Sequence, residues 1–146
     1  MFVLVIGAGR VGSSVATTAL RKGHTVSVLD EDPLSHERLD VELGQAWEAA
    51  GGRFTIGTAL ELDALQEAGI AEADVFIAST NGDNTNLVVS QLARLRFEVP
   101  KVIARILDPR RAAWYAEQGL ETICPTAIAI DQLEANVLGG GSGSSR

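Results

Sequence analysis

A single cysteine, Cys124, excludes a disulfide framework, and with only His24 and His36 beside it the chain has little from which to build a zinc site. Cys124 is expected to be a small buried residue at a strand end. Basic residues are outnumbered, 12 Lys and Arg against 19 Asp and Glu, for a formal net charge of −7. That balance argues against a sequence-independent grip on nucleic acid, which depends on a basic face that neutralises phosphates. No apolar run reaches the ~18 residues a membrane span requires, so no direct membrane insertion is expected. The N-terminal run Phe2 to Ile6 is too short for a signal peptide and has no basic leader, which predicts a cytoplasmic protein. No Ser-His-Asp or Cys-His arrangement can be assembled, and no carboxylate pair has a pocket of its own, so no catalytic machinery is visible. At 146 residues the chain is about one domain.

What is present is concentrated at the start. Phe2-Val3-Leu4-Val5-Ile6 reads as a strand and runs straight into Gly7-Ala8-Gly9-Arg10-Val11-Gly12. A second apolar run, Val26-Ser27-Val28-Leu29, closes on Asp30, eighteen positions after Gly12. Strand, glycine turn, helix, strand and acid in that order form the dinucleotide-binding fingerprint. Gly7 permits the tight turn, Gly9 lets a phosphate approach the backbone, and Gly12 lets the helix lie near the sheet. The amides of Arg10 and Val11 are expected to face phosphate, and Asp30 to meet ribose hydroxyls. A carboxylate here, followed by Glu31 and Asp32, repels a 2′-phosphate and disfavours NADP.

The rest of the chain repeats the alternation. Val11, Val15, Ala19 and Leu20 recur at helical spacing up to Gly23, and a second helix is expected from Pro33 to Gly51-Gly52, carrying Leu39, Val41, Leu43, Ala46, Trp47 and Ala50. Arg53 to Ile56 reads as a strand and Leu60 to Ala68 as a helix. Ala73 to Ala78 is a strand whose unbroken apolar run suits a parallel sheet covered on both faces. A helix with Leu87, Val88, Leu92 and Leu95 follows, then a strand over Lys101 to Ile106. Asp108-Pro109 starts a helix that ends at Gly119. Thr122 to Cys124 is a last short strand, and Ile130, Leu133 and Val137 stripe the last helix. This pattern predicts an α/β fold: a Rossmann-like doubly wound parallel sheet of about six strands with helices on both faces, over residues 1–138. Residues 139–146 read as a flexible Gly/Ser tail.

In such a sheet the ligand sits beyond the carboxyl ends of the strands. The loops there supply Gly7 to Gly12, Asp30 and Glu31, Gly57-Thr58-Ala59, Ser79-Thr80-Asn81, and Arg105. Arg105 ends an apolar strand and is semi-buried unless an anion meets it; a phosphate is one candidate, an acidic side chain or an exit to the surface another. Trp114 and Tyr115 are adjacent on one helix and cannot share a face, which points to one of them at a subunit interface. His24 is expected to be structural or exposed, and His36 exposed.

Beyond the glycine turn, Gly57-Thr58-Ala59 with Leu65 and Ala68-Gly69-Ile70, Thr80-Asn81-Gly82-Asp83-Asn84-Thr85-Asn86-Leu87, and Ala104-Arg105 with Asp108-Pro109 resemble the N-terminal nucleotide-binding domain of the RCK (KTN, TrkA-N) family. These are cytosolic regulators of potassium uptake systems and channels. The resemblance implies an adenine nucleotide ligand, NAD/NADH in some members and ATP/ADP in others. It places Gly7, Gly9, Arg10 and Gly12 at phosphates, Asp30 at ribose, Thr58-Ala59 at the adenine side, and Thr80-Asn81 and Arg105 on the inner wall. It also implies a homodimer joined partly through the last helix and assembled into a ring, peripheral to the inner face of the membrane through a potassium transporter or channel subunit. Thr58 stands where many members have Asp, and the segment from Pro33 to Gly52 is longer than usual. An NAD-dependent oxidoreductase cofactor-binding domain shares the opening motif; it would need a catalytic acid or base and a substrate domain.

Overall fold

Each apolar run becomes a strand and each connecting segment a helix in the computed structural model, which describes residues 1–139. The strands are β1 (Phe2–Ile6), β2 (Thr25–Asp30), β3 (Arg53–Ile56), β4 (Val75–Ala78), β5 (Lys101–Arg105) and β6 (Glu121–Ile123). The helices are α1 (Arg10–Arg21), α2 (Leu34–Leu43), α3 (Leu62–Ala68), α4 (Asp83–Gln91), α5 (Pro109–Glu117) and α6 (Pro125–Leu138). All strand pairs are parallel, in the order β3-β2-β1-β4-β5-β6. The chain therefore builds outward from β1 to β3, crosses back, and builds outward again from β4. Beyond the carboxyl ends of β1 and β4 the loops part in opposite directions, which opens a crevice. The Gly/Ser tail expected at 139–146 lies, after Gly139, outside the described residues.

Alternation along the strands sends side chains to two cores. Val3, Val5, Val26 and Val28 pack with Leu39 and Trp47 beneath α1 and α2. Leu4, Ile6 and Phe76 pack with Leu65, Leu87 and Ala112 beneath α3, α4 and α5. Burial of both faces explains why β1 and β4 carry continuous apolar sequence.

Three helices differ from the sequence expectation, each for a local reason. In α1 the buried residues are Gly12, Ser13, Ala16 and Thr17, while Val11 and Val15 are exposed. Gly12 sets this rotation: a Cβ there would collide with the Gly7 carbonyl oxygen, so backbone lies directly on backbone. The second helix stops at Leu43 rather than running to Gly51, because Gly44 adopts the left-handed conformation (φ 82°) that ends helices. Within α2, Leu39 and Leu43 are buried and Val41 is 81% exposed. Trp47 is fully buried from a turn, its amide donating to Asp40 Oδ1 (2.8 Å) and its indole N–H to the Arg53 carbonyl (2.9 Å). Within α4 it is Val89 rather than Val88 that is buried, and after it a π-helical turn over Leu92–Arg96 shifts the helical phase, leaving Ala93 buried and Leu95 exposed.

The last helix buries none of its residues, and the expected stripe of Ile130, Leu133 and Val137 lies open to solvent. Cys124 is half-buried rather than buried. It follows β6 and caps α6, its sulfur accepting from the Ala127 amide.

Two stability measurements check this packing. Trp47→Ala is expected to cost about 3–5 kcal/mol in urea denaturation, as an aromatic removed from a filled core. Gly12→Ala is expected to cost about 1–3 kcal/mol through its backbone collision, whereas Gly9→Ala, whose Cβ would meet nothing within 4 Å, stays within about 1 kcal/mol of the parent.

Candidate functional site

The crevice is a cleft of about 920 Å³ bounded by the loops after β1, β2, β3, β4 and β5. Its floor is the β1–α1 turn. Gly7 takes φ +93°, and a Cβ on it would press on the Ser79 carbonyl oxygen at 2.8 Å. The turn is pinned to both neighbouring strands: the Gly7 amide donates to the Leu29 carbonyl and the Ser79 amide to the Ile6 carbonyl, each at 2.8 Å. Gly9 opens α1 in an extended conformation and supplies no side-chain cap. The first-turn amides of α1 therefore have no side-chain acceptor from the cap position, and Gly9, Arg10 and Val11 line the cleft. A helix N-terminus so arranged favours an anion.

At the β2 end, Asp30 does more than line the wall. Its Oδ2 accepts from the Ala8 amide at 2.7 Å and its Oδ1 from the Asp32 amide at 2.8 Å, so one carboxylate holds both the glycine turn and the start of the β2–α2 loop. Ala8 is gripped from a second side, since Arg38 of α2 donates to its carbonyl. Glu31 and Asp32 complete an acidic rim. Thr58, Ala59 and Leu60, on the loop after β3, close this end, with Thr58 Oγ1 accepting from the Leu60 amide at 3.3 Å.

The opposite wall is a hydrogen-bonded unit. Asn86, buried at the start of α4, accepts from the Thr80 amide (3.0 Å) and hydroxyl (2.7 Å) and donates to the carbonyls of Thr80 (3.0 Å) and Arg105 (2.8 Å). Arg105 Nη1 donates to the Thr80 carbonyl at 3.0 Å. Asp83 extends the unit by accepting from the amides of Leu107 (2.7 Å) and Asp108 (3.0 Å), and Asp108 in turn caps α5. Two polar atoms of this wall, Arg105 Nε and Ser79 Oγ, are buried and lack a hydrogen-bond partner. Neither Arg105 nor Arg10 forms an ion pair; among the described residues the pairs are His36 with Asp40 and Glu48, and Lys101 with Glu121, all outside the cleft lining. The acidic-partner explanation for Arg105 is thereby excluded among the described residues. The cleft lining carries the guanidinium groups of Arg10, Arg38 and Arg105 and the carboxylates of Asp30, Glu31 and Asp32.

Of the residues singled out in the sequence, Gly7, Gly9, Arg10, Val11, Asp30, Glu31, Thr58, Ala59, Ser79, Thr80, Asn81 and Arg105 line this one cleft. Ala8 and Gly12 stand behind its wall, Ala8 fully buried with both backbone groups engaged and Gly12 beneath the helix. Ser35 and Arg38 of α2, with Leu60, Gly82 and Thr85, also line it and were not anticipated. The Ser35/Arg38 spacing of three is the one sequence signal that could have paired them on a helix face. His24 is half-buried beside the N-terminal amine, away from the cleft, whereas His36, expected to be exposed, is half-buried because carboxylates engage it. Trp114 is 55% exposed and stacks edge-on against Tyr115, which packs on the core.

The geometry has close counterparts among known proteins. The chain is 40% identical over 142 residues to the Trk system potassium uptake protein TrkA of Streptomyces coelicolor, a match covering 97% of this chain and 60% of that protein. It spans about 60% of the length of the curated relatives it matches first. Among solved structures, the Kef CTD of Shewanella denitrificans in its AMP-bound form superposes with a TM-score of 0.74 at 26% identity, covering 97% of this chain and 84% of that one. The TrkA-N domain of the inner membrane protein ybaL from Escherichia coli superposes with a TM-score of 0.77, over 93% of this chain and 96% of that one, and at 19% identity bears on the fold alone. The TrkA-N domain model matches residues 3–126, and on that match, over the strands and loops that build the cleft, the chain belongs to the TrkA-N family.

Proposed function

We propose that the chain is a nucleotide-sensing regulatory domain whose cleft takes an adenine nucleotide and whose occupancy governs a membrane potassium transporter or channel subunit. The observation that carries the reading is the inner wall. Arg105, which has no acidic partner among the described residues, lines a cleft whose floor is a helix N-terminus. A phosphate chain suits the guanidinium charge and the helix N-terminus at once. The fit extends to the other end, where Asp30 and the acidic rim suit ribose hydroxyls and oppose a 2′-phosphate. Gly9 leaves room where any Cβ would occupy the cleft. The AMP bound to the Shewanella relative and the name of the Streptomyces relative support the ligand class and the potassium assignment.

A sensor rather than an enzyme is the reading because of what the cleft contains. Its lining includes no His, Lys, Tyr or Cys among the described residues, and its carboxylates stand at the ribose end. A hydride-transfer site would need an acid or base beside the reacting carbon. Signalling instead requires that ligand bind two arrangements of the protein with different affinity. The wall offers a route for this difference, because Arg105 and Asn86 join the cleft to α4, and Asp83 joins α4 to the cap of α5. The exposed stripe of α6 supports a homodimer through that helix, with dimers assembling into a ring at the inner face of the membrane. The site residues are those lining the cleft, with residues 1–138 as the domain.

Four results check the proposal. Calorimetric titration of nucleotide-free protein with ATP, ADP, AMP, NAD and NADH is expected to show saturable binding of at least one; binding of none defeats it. Arg105→Gln is expected to weaken that binding by about 10- to 100-fold, the worth of one or two charge-assisted hydrogen bonds, with the melting curve as the control for folding. Gly9→Ala is expected to lose binding while leaving stability near the parent. For assembly, Leu133→Asp with Val137→Asp is expected to convert a dimer to a monomer by light scattering.

A further inference from the structure

Helix α2 has two working faces. One turns Ser35 and Arg38 to the cleft, where Arg38 holds the Ala8 carbonyl of the glycine turn. The other carries His36. Its Nε2 lies 2.7 and 2.8 Å from the two carboxylate oxygens of Glu48, which belongs to the turn that follows α2. Its Nδ1 lies 3.8 Å from Asp40 Oδ2, one helical turn on, and its ring meets Phe54 of β3 edge-on with centroids 5.3 Å apart. The turn carrying Glu48 is thus tied to α2 at two points. One tie is the Trp47 amide on Asp40, which does not titrate at its donor. The other is His36 with Glu48, which does.

We infer that His36 is a proton-operated latch: when charged it fastens α2 to the turn bearing Glu48, and through Arg38 it steadies the glycine turn and strengthens ligand binding in the cleft. Only the last step rests on the nucleotide reading.

The charged groups facing His36 are Glu48 from the turn and Asp40 and Glu37 from its own helix; β3 contributes an uncharged ring. The hydrogen bond to Glu48 raises its pKa above the ordinary 6.5, burial opposes this, and the charges of Glu48, Asp40 and Glu37 add to the rise. The sign follows from linkage. A histidine whose pKa is raised in the folded state contributes its full stabilisation below 6.5 and loses it as the pH climbs through the raised value. The pair is half-exposed, with side-chain exposures of 33% and 56%, so solvent screening keeps the effect small. The same three side chains hold metal-ligating atoms within 4.8 Å of one another. The two carboxylates, however, address different ring nitrogens, Glu48 by a hydrogen bond at Nε2 and Asp40 at 3.8 Å from Nδ1, an arrangement suited to a charged imidazole between two acids rather than to one ion bound through a single nitrogen.

The test compares the parent with His36→Gln, which keeps a neutral donor and removes the titration, and with Glu48→Gln. Amide hydrogen exchange is measured at about pH 6 and pH 8, on either side of the ordinary histidine range. At the lower pH, amides of residues 34–43 and of the glycine turn in the parent are expected to exchange about two- to fivefold more slowly than in His36→Gln, with the gap closing at the higher pH. Glu48→Gln is expected to show the same loss and to lower the His36 pKa read by NMR. A parent-to-variant ratio that is equal at the two pH values overturns the latch, and a change confined to α2 that spares the glycine turn overturns its link to the cleft. NAD, whose pyrophosphate does not titrate in this range, is the probe for affinity. If NAD binds with a parent-to-variant affinity ratio that is flat across pH, the link fails while the nucleotide reading stands. If no nucleotide binds, that reading fails and hydrogen exchange alone decides the latch.

Discussion

The contact on which the rest of the structure depends is between two stretches of backbone: Gly12 of α1 lying against the Gly7 carbonyl at the end of β1. Neither residue has a side chain, and any Cβ on Gly12 would force the helix off the sheet. Because the helix sits this close, its first turn is aimed across the ends of β1 and β4. Gly7 in turn fits under the Ser79 carbonyl of the neighbouring strand. The anion-binding character of the cleft is therefore a property of backbone placement, and charge is added to it afterwards.

Around that contact several side chains hold the backbone of the cleft. Asp30 ties down the Ala8 amide, Arg38 the Ala8 carbonyl, and Asn86 the Thr80 backbone, so the floor of the cleft is fastened to β2 and α2 and its inner wall to α4. Such polar groups are costly to bury unless paired, and here nearly all are paired. Arg105 Nε and Ser79 Oγ, on the inner wall, are exceptions. Arg105 shares a hydrogen-bonded unit with α4 through Asn86, which gives the proposed ligand a route from the cleft to that helix.

Much of this was legible in the sequence because it depended on local spacing. The glycine turn, the acid at Asp30 and the charge at the end of an apolar strand at Arg105 are each readable within a few residues, and all three reached the same cleft. What could not be read was rotational phase. Val11 and Val15 have the spacing of an inner helix face, yet the glycine contact rotates them outward. The apolar residues after Leu43 continue a helical pattern, and the Gly44 that ends the helix looks in the sequence like any other glycine. Arg38 was missed for the same reason, since its role depends on which way α2 is turned. The clustering of His36 with Glu48 depends on that early stop, because only a turn brings position 48 back to position 36.

The central claim is that the α1 N-terminus and Arg105 together hold the phosphates of an adenine nucleotide. A crystal structure of the chain grown with the nucleotide it binds tests this most directly. Phosphate oxygens are expected within about 3 Å of the Arg10 and Val11 amides and of the Arg105 guanidinium, with ribose at Asp30. A nucleotide seated elsewhere, or one whose phosphates avoid Arg105, would contradict it.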